Sequence, residues 1–118
     1  EDLRITSVNL LADISSLHCS HITFEMVSQY VTPCILQLCQ DQSFRVRRAS
    51  VQALPRVVSG SSPEDAVGRL LPAFTHLADD EMYRVRKSVG ECLVDMSRSM
   101  MLLVQHGETN GVNSILNH

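Results

Sequence analysis

The sequence predicts an all-α fold, an αα-superhelix built from about two full helix pairs plus flanking helices. Two observations carry that expectation. Apolar residues recur at helical spacing along most of the chain, and no stretch alternates with period two over a useful length, so no sheet is expected. A single step of 39 residues also maps the middle of the chain onto its later part. Helix pairs of this size cannot bury their apolar stripes alone, whereas stacked copies share one core, so a repeat of paired helices reads as a solenoid.

The repeat is visible in two phrases, DQSFRVRRASVQAL (41–54) and DDEMYRVRKSVGECL (79–93). The step of 39 takes Asp41 to Asp80, Arg45 to Arg84, Val46 to Val85, Arg47 to Arg86 and Leu54 to Leu93; upstream it takes Pro33 to Pro72 and Leu38 to Leu77. Conservative matches fill the register, Phe44 with Tyr83, Arg48 with Lys87 and Val31 with Leu70. The opening of the chain aligns with the second helix of a unit at a step of 43, Arg4 matching Arg47, Val8 matching Val51 and Leu11 matching Leu54.

In order, a leading helix is expected over 2–17, then a linker containing HCSH, then a repeat over 24–58 with its turn at Asp41. SGSSPED follows as a break. Gly60 suits the residue after a helix, Ser62 an N-cap and Pro63 a first turn, while Glu64 and Asp65 suit the positive end of the helix dipole. A second repeat spans 63–104, the segment HGETNG reads as another break, and 110–118 as a trailing partial helix. The chain does not open with Met and both ends fall inside patterned segments, so it is expected to be part of a longer solenoid.

With 10 basic and 13 acidic residues the net charge is −3, which offers no general attraction to nucleic acid or to an anionic membrane. The longest apolar run, Met100 to Val104, is too short to span a bilayer, and no secretory leader pattern is present. Protein partners are therefore expected, with neither nucleic acid nor membrane among them.

Prolines inside each first helix (Pro33, Pro72), Asp at each intra-repeat turn (Asp41, Asp80) and Val-Arg early in each second helix (Val46-Arg47, Val85-Arg86) resemble the HEAT-repeat signature, over 24–98 and more loosely the whole chain. The phrase DQSFRVR is similar to the turn in the scaffold (A) subunit of protein phosphatase 2A and in HEAT-type regulatory subunits of protein phosphatase 4; the second copy departs from it at Glu81-Met82-Tyr83. The resemblance implies a non-catalytic scaffold or regulatory subunit of a Ser/Thr phosphatase, contacting catalytic and regulatory subunits through its turns. The alternative is a HEAT-type adaptor for nuclear transport, the cytoskeleton or complex assembly. Tubulin-binding arrays typically place Trp and Lys in such turns, and this chain has no Trp and one Lys, Lys87.

Elementary chemistry gives the repeated residues structural work. Proline lacks an amide proton and crowds the carbonyl four residues back, so Pro33 and Pro72 should bend their helices at matching places. Asp41 and Asp80 can cap the amides that open each second helix while Arg47 and Arg86 approach, so that stacking alternates Asp and Arg along a ladder. Within one repeat, Asp80 is expected to share its charge with Arg86.

Four cysteines and five histidines raise the question of metal, and His18, Cys19 and His21 lie within four residues. Zinc normally asks for a fourth ligand and wider spacing, so no metal and no cofactor is expected. Cys34, Cys39 and Cys92 fall opposite Ala73, Ala78 and Ala53, which suggests small buried positions and free thiols in a reducing compartment, the cytoplasm or nucleus. No phosphate-binding glycine loop follows a strand, and nothing in a helical array gathers Ser, His and Asp around a cleft, so the chain is read as not an enzyme.

Partner binding is the default use of a solenoid, and its recurring turns offer a ridge. The second helices carry basic residues, Arg45, Arg48 and Arg56 in one copy, Arg84 and Lys87 in the other, with Glu91 and Asp95 as partial neutralisers. Spacing of i, i+3 puts Arg45 with Arg48, and Arg84 with Lys87, on one helix face. Phe44 and Tyr83 serve either as caps over the core or as exposed anchors. The candidate partner-binding ridge is thus Gln42, Phe44, Arg45, Arg48, Met82, Tyr83, Arg84 and Lys87, beside the structural ladder of Asp41, Arg47, Asp80 and Arg86.

Overall fold

The computed structural model of the chain describes residues 1–17 and 22–116, with side chains described through residue 105. The linker residues His18, Cys19 and His21 lie outside the described residues, as do the last two of the chain. Five helices follow one another: α1 (Asp2–Ser15), α2 (residues 24–38), α3 (Phe44–Ser59), α4 (residues 63–77) and α5 (Tyr83–Leu116). Among the described residues there is no strand.

The helices form two layers. α1, α3 and α5 lie side by side in one layer, with α3 packed most extensively against its two neighbours, while α2 and α4 cover the other side. α3 is central because its apolar residues face several directions at once: Val46, Val51, Leu54, Val57 and Val58 are all fully buried. Val8 and Ala12 from α1, Val27 and Ile35 from α2, Leu70 and Phe74 from α4, and Val85 and Met96 from α5 complete one continuous core.

α2 and α4 each start where a side chain caps the helix. Thr23 accepts a hydrogen bond from the Met26 amide, and Ser62 accepts one from the Asp65 amide, both at 3.2 Å. Pro63 fills the first turn of α4 with Glu64 and Asp65 behind it.

The prolines of α2 and α4 produce a regular irregularity. Val27–Val31 and Ala66–Leu70 are π-helical, each ending just ahead of its proline and separated by the repeat step. In the widened turn the Thr32 amide donates to the Val27 carbonyl and the Leu71 amide to the Ala66 carbonyl, five residues back. Pro33 has no amide to offer the Ser28 carbonyl, and Arg69 of α4 donates to it instead at 3.2 Å, with a second hydrogen bond to Ser28 Oγ at 3.3 Å. The proline defect in one repeat thus becomes a tie to the next.

Two sequence expectations need correction here, and Gly60 has a reason of its own. α5 runs unbroken from Tyr83 through HGETNG to Leu116, so no separate helix starts at 110. Gly107 and Gly111 each cost a helix only about 1 kcal/mol relative to Ala, and no proline forces an exit. Gly60 follows the last residue of α3, as expected, with φ −99°. Its backbone lies against α1, where an added Cβ would sit 1.8 Å from the Ser15 carbonyl oxygen. Finally, only Cys39 of the three described cysteines is buried; Cys34 is exposed and Cys92 half-buried. Burial here follows place in the stack, since Ala78, opposite Cys39, is itself exposed.

Candidate protein-interaction ridge

The turns after α2 and α4 are held by equivalent sets of bonds. Asp41 Oδ1 accepts from the Ser43 amide and Asp80 Oδ1 from the Met82 amide, both at 2.9 Å, which closes each turn and aims α3 and α5. Arg47 Nη1 donates to the Asp41 and Gln42 carbonyls at 2.8 and 3.1 Å, and Arg86 Nη1 donates to the Asp80 carbonyl at 2.7 Å. Within a repeat, therefore, Arg meets the backbone of its own turn and not the carboxylate.

The carboxylates pair across repeats. Arg4 Nε and Nη2 reach Asp41 Oδ2 and Oδ1 at 2.8 and 3.3 Å, and Arg47 Nε and Nη2 reach Asp80 Oδ2 and Oδ1 at 2.9 and 3.1 Å. The expected pairing of Asp80 with Arg86 is corrected accordingly. Arg86 turns its Nη1 to the Asp80 carbonyl, and its guanidinium lies 5.9 Å from the centre of the Tyr83 ring. Fork-on-fork geometry is the strongest form such a pair takes, and the Arg47–Asp80 pair is nearly buried at 11% and 10% side-chain exposure. Burial pushes the Asp80 carboxyl up, but the hydrogen bonds from Arg47 and the Met82 amide and the charges of Arg47 and Arg86 outweigh it, so the group sits below its ordinary pKa. Asp41 is lowered likewise, burial being outweighed by the Ser43 amide and by Arg4.

The ridge residues divide. Phe44 is half-buried against the core, as is Met82, so these two act as caps. Tyr83 is 64% exposed although it occupies the same repeat position as Phe44. α3 and Phe44 have a further helix pair stacked beside them, whereas α5 is the last described helix. Gln42 is exposed. Arg45 pairs with Glu1, and Arg56 with Asp13. The Glu1 carboxyl is held below its ordinary pKa, first by the Ser43 hydroxyl and further by Arg45. Asp95 pairs with Arg98 at 3.5 Å, so it does not neutralise Arg84 or Lys87 as expected.

What the structure brings together is Arg48, Tyr83, Arg84 and Lys87, with Gln52, Ser88 and Glu91, around a groove of about 540 Å³ between α3 and α5. Among the described residues neither Arg48 nor Arg84 has a carboxylate partner, and Lys87 reaches Glu91 loosely at 3.8 Å. Sequence spacing placed Arg84 and Lys87 together; the approach of Arg48 from the neighbouring helix required the stack. A second groove, of about 510 Å³, lies along α5 between Leu93, Val94, Met101 and Leu102 and was not foreseen, although those residues share one helical stripe. Among the described residues no helix is long and apolar enough to cross a membrane.

Comparison with known proteins agrees with this architecture. The chain is similar to the mouse (Mus musculus) serine/threonine-protein phosphatase 4 regulatory subunit 4, with 28% identity over 93 residues, 79% of this chain. It spans about a tenth (10%) of the length of that curated relative. No solved structure matches. Residues 31–61 and 70–100 match the family described as HEAT repeat, in two segments that start 39 residues apart and together cover more than half of the sequence. With the paired helices, the doubled turn and the Arg–Asp pairs in the same register, the chain belongs to the HEAT-repeat family.

Proposed function

We propose that the chain works as a non-catalytic protein-binding scaffold or regulatory subunit of a Ser/Thr protein phosphatase of the 2A/4 type. The observation that carries this reading is the division of labour in the stack. Apolar residues of all five helices meet in one core, while the two turns recur on one edge, closed by equivalent Asp side chains and tied by Arg forks, with Arg45, Tyr83 and Arg84 exposed along it. A rigid edge repeated at fixed spacing suits recognition of another folded protein. The likeness to a phosphatase 4 regulatory subunit supports the choice of partner class. The free thiols of Cys34, Cys39 and Cys92 fit work in the cytoplasm.

The test is capture. Immobilised chain, checked by circular dichroism for helicity, is exposed to purified 2A- and 4-type catalytic subunits. Retention of either one, reduced by Tyr83→Ala with Arg84→Ala, is the expected result. A folded chain that retains neither, yet retains transport factors or tubulin, would move it to the other adaptor classes.

A further inference from the structure

We propose that the groove between α3 and α5 receives an extended acidic segment of a partner protein whose carboxylates stand about three residues apart. The proposal rests on the protein-binding reading above and adds the chemistry of the occupant. Arg4, Arg45, Arg47, Arg56, Arg69, Arg98 and Lys87 each have a carboxylate within 4 Å. Arg48, Arg84 and Arg86 have none among the described residues; Arg86 donates to the Asp80 carbonyl and lies over the Tyr83 ring, whereas Arg48 and Arg84 both line this one groove, in a chain with three more acidic than basic residues. The groove thus carries two guanidiniums and the Lys87 ammonium against the single carboxylate of Glu91, and the positive end of the α5 dipole adds to that excess of positive charge at Tyr83 and Arg84.

Lys87 is available as a third contact. Its pairing with Glu91 is an i, i+4 contact at 3.8 Å with both side chains about 60% exposed, worth only a few tenths of a kcal/mol, so an incoming carboxylate can displace it. The cations come from two helices. Helices packed side by side stand about 8–10 Å apart, and an extended segment in the polyproline II conformation advances about 3.1 Å per residue with every third side chain on one face, so a segment crossing from α3 to α5 meets a cation on each helix with carboxylates three residues apart. The exposed Tyr83 ring and the Gln52 side chain at the groove offer the crossing backbone an apolar ledge and a hydrogen-bonding group.

Fluorescein-labelled 12-residue peptides titrated by fluorescence anisotropy against the intact chain test this. An Asp-x-x-Asp-x-x-Asp peptide is expected to bind at least about tenfold more tightly than the same peptide with Asn for Asp, the energy of one charged hydrogen bond. Binding should weaken as salt rises. Arg48→Gln with Arg84→Gln should abolish the preference, whereas Arg98→Gln, which removes a similar charge elsewhere, should not. Amide NMR shifts of the wild-type chain should centre on Tyr83, Arg84 and Lys87, a readout that needs no variant to fold. Equal binding of a peptide with its acids clustered, equal loss in Arg98→Gln, or preference for a singly phosphorylated peptide would each overturn the proposal. Phosphatase capture without peptide binding would discard the groove and keep the function; peptide binding without capture would keep the groove and change the partner class.

Discussion

Arg47 grips the turn of the following repeat through both carboxylate oxygens of Asp80, at 2.9 and 3.1 Å, while its third nitrogen holds the carbonyls of its own turn. One side chain therefore fixes the geometry within a repeat and the register between repeats. Removing either partner leaves a nearly buried charge unmatched, so Arg47→Ala and Asp80→Ala should each destabilise by about 3 kcal/mol. Chemical denaturation of both singles and the double should give a coupling energy above about 1 kcal/mol. The corresponding cycle for Asp80 and Arg86 should couple more weakly, because Arg86 donates to the Asp80 carbonyl, which an alanine retains.

The same carboxylates set the response to acid. Asp41 and Asp80 sit below their ordinary pKa in the folded chain, so on lowering the pH the unfolded chain takes up protons first. Their stabilisation is complete above the ordinary carboxylate value of about 4 and is lost as pH falls through it toward the lowered folded values. Melting temperature followed from pH 7 to pH 3 should drop on the acid side. Asp80→Asn should start lower and drop less; an acid limb of unchanged depth would show that other groups govern it.

Much of the fold is legible in the sequence, and the reason is that its signals are local. A Ser62 cap, a Pro63 first turn and an Asp two residues before the amide it accepts need only their neighbours. The repeat step likewise needs only counting. The partner of Asp80 was not legible, because six residues to Arg86 is shorter in sequence than the distance to Arg47 but not in space, and only the stacking decides between them. Cys34 opposite Ala73 misled for a similar reason: alanine tolerates any exposure, so a match to it says nothing about burial. Pro33 and Pro72 marked in the sequence where a backbone donor is missing, but the π-turns ahead of them were not expected, and the Arg69 side chain that supplies the donor arises only between repeats.

Gly60 makes a sharper case than its sequence context suggests. A methyl group there would overlap the Ser15 backbone, which belongs to a packed helix and cannot swing aside as a long side chain could. Gly60→Ala should cost at least 1–3 kcal/mol, roughly the cost of overpacking a core. Gly90 lies in α5 with nothing within 4 Å of an added Cβ, so Gly90→Ala should stabilise by about 1 kcal/mol through helix propensity. Opposite signs for the two substitutions in thermal melts are the expected outcome, and equal signs would contradict the close approach of α1 and α3.

Thiol reactivity should rank by place in the stack. Burial pushes the Cys39 thiol up to about 12, against which the Ser50 hydroxyl lowers it only in part, whereas Cys34 stands exposed. Mass-mapped alkylation of the native chain at pH 8 should modify Cys34 first, Cys92 later and Cys39 only on unfolding. Early modification of Cys39 would mean that α2 and α3 separate readily.

Phe44 and Tyr83 hold the same position in successive repeats and should nevertheless fail in different assays. Phe44 packs against the core, so Phe44→Ala should cost about 1–3 kcal/mol and lower binding only as far as the fold is lost. Tyr83 is 64% exposed beside Arg84, so Tyr83→Ala should leave stability within about 0.5 kcal/mol of wild type. If the turn ridge is the contact surface, that same substitution should weaken retention of the partner by burying less apolar area, an effect insensitive to salt. Arg84→Ala should weaken it through charge, an effect that shrinks as salt rises. Denaturation and binding measured on the same four proteins separate the roles: a Tyr83→Ala chain that binds as well as wild type would remove the anchor, and one that unfolds would return Tyr83 to the core beside Phe44.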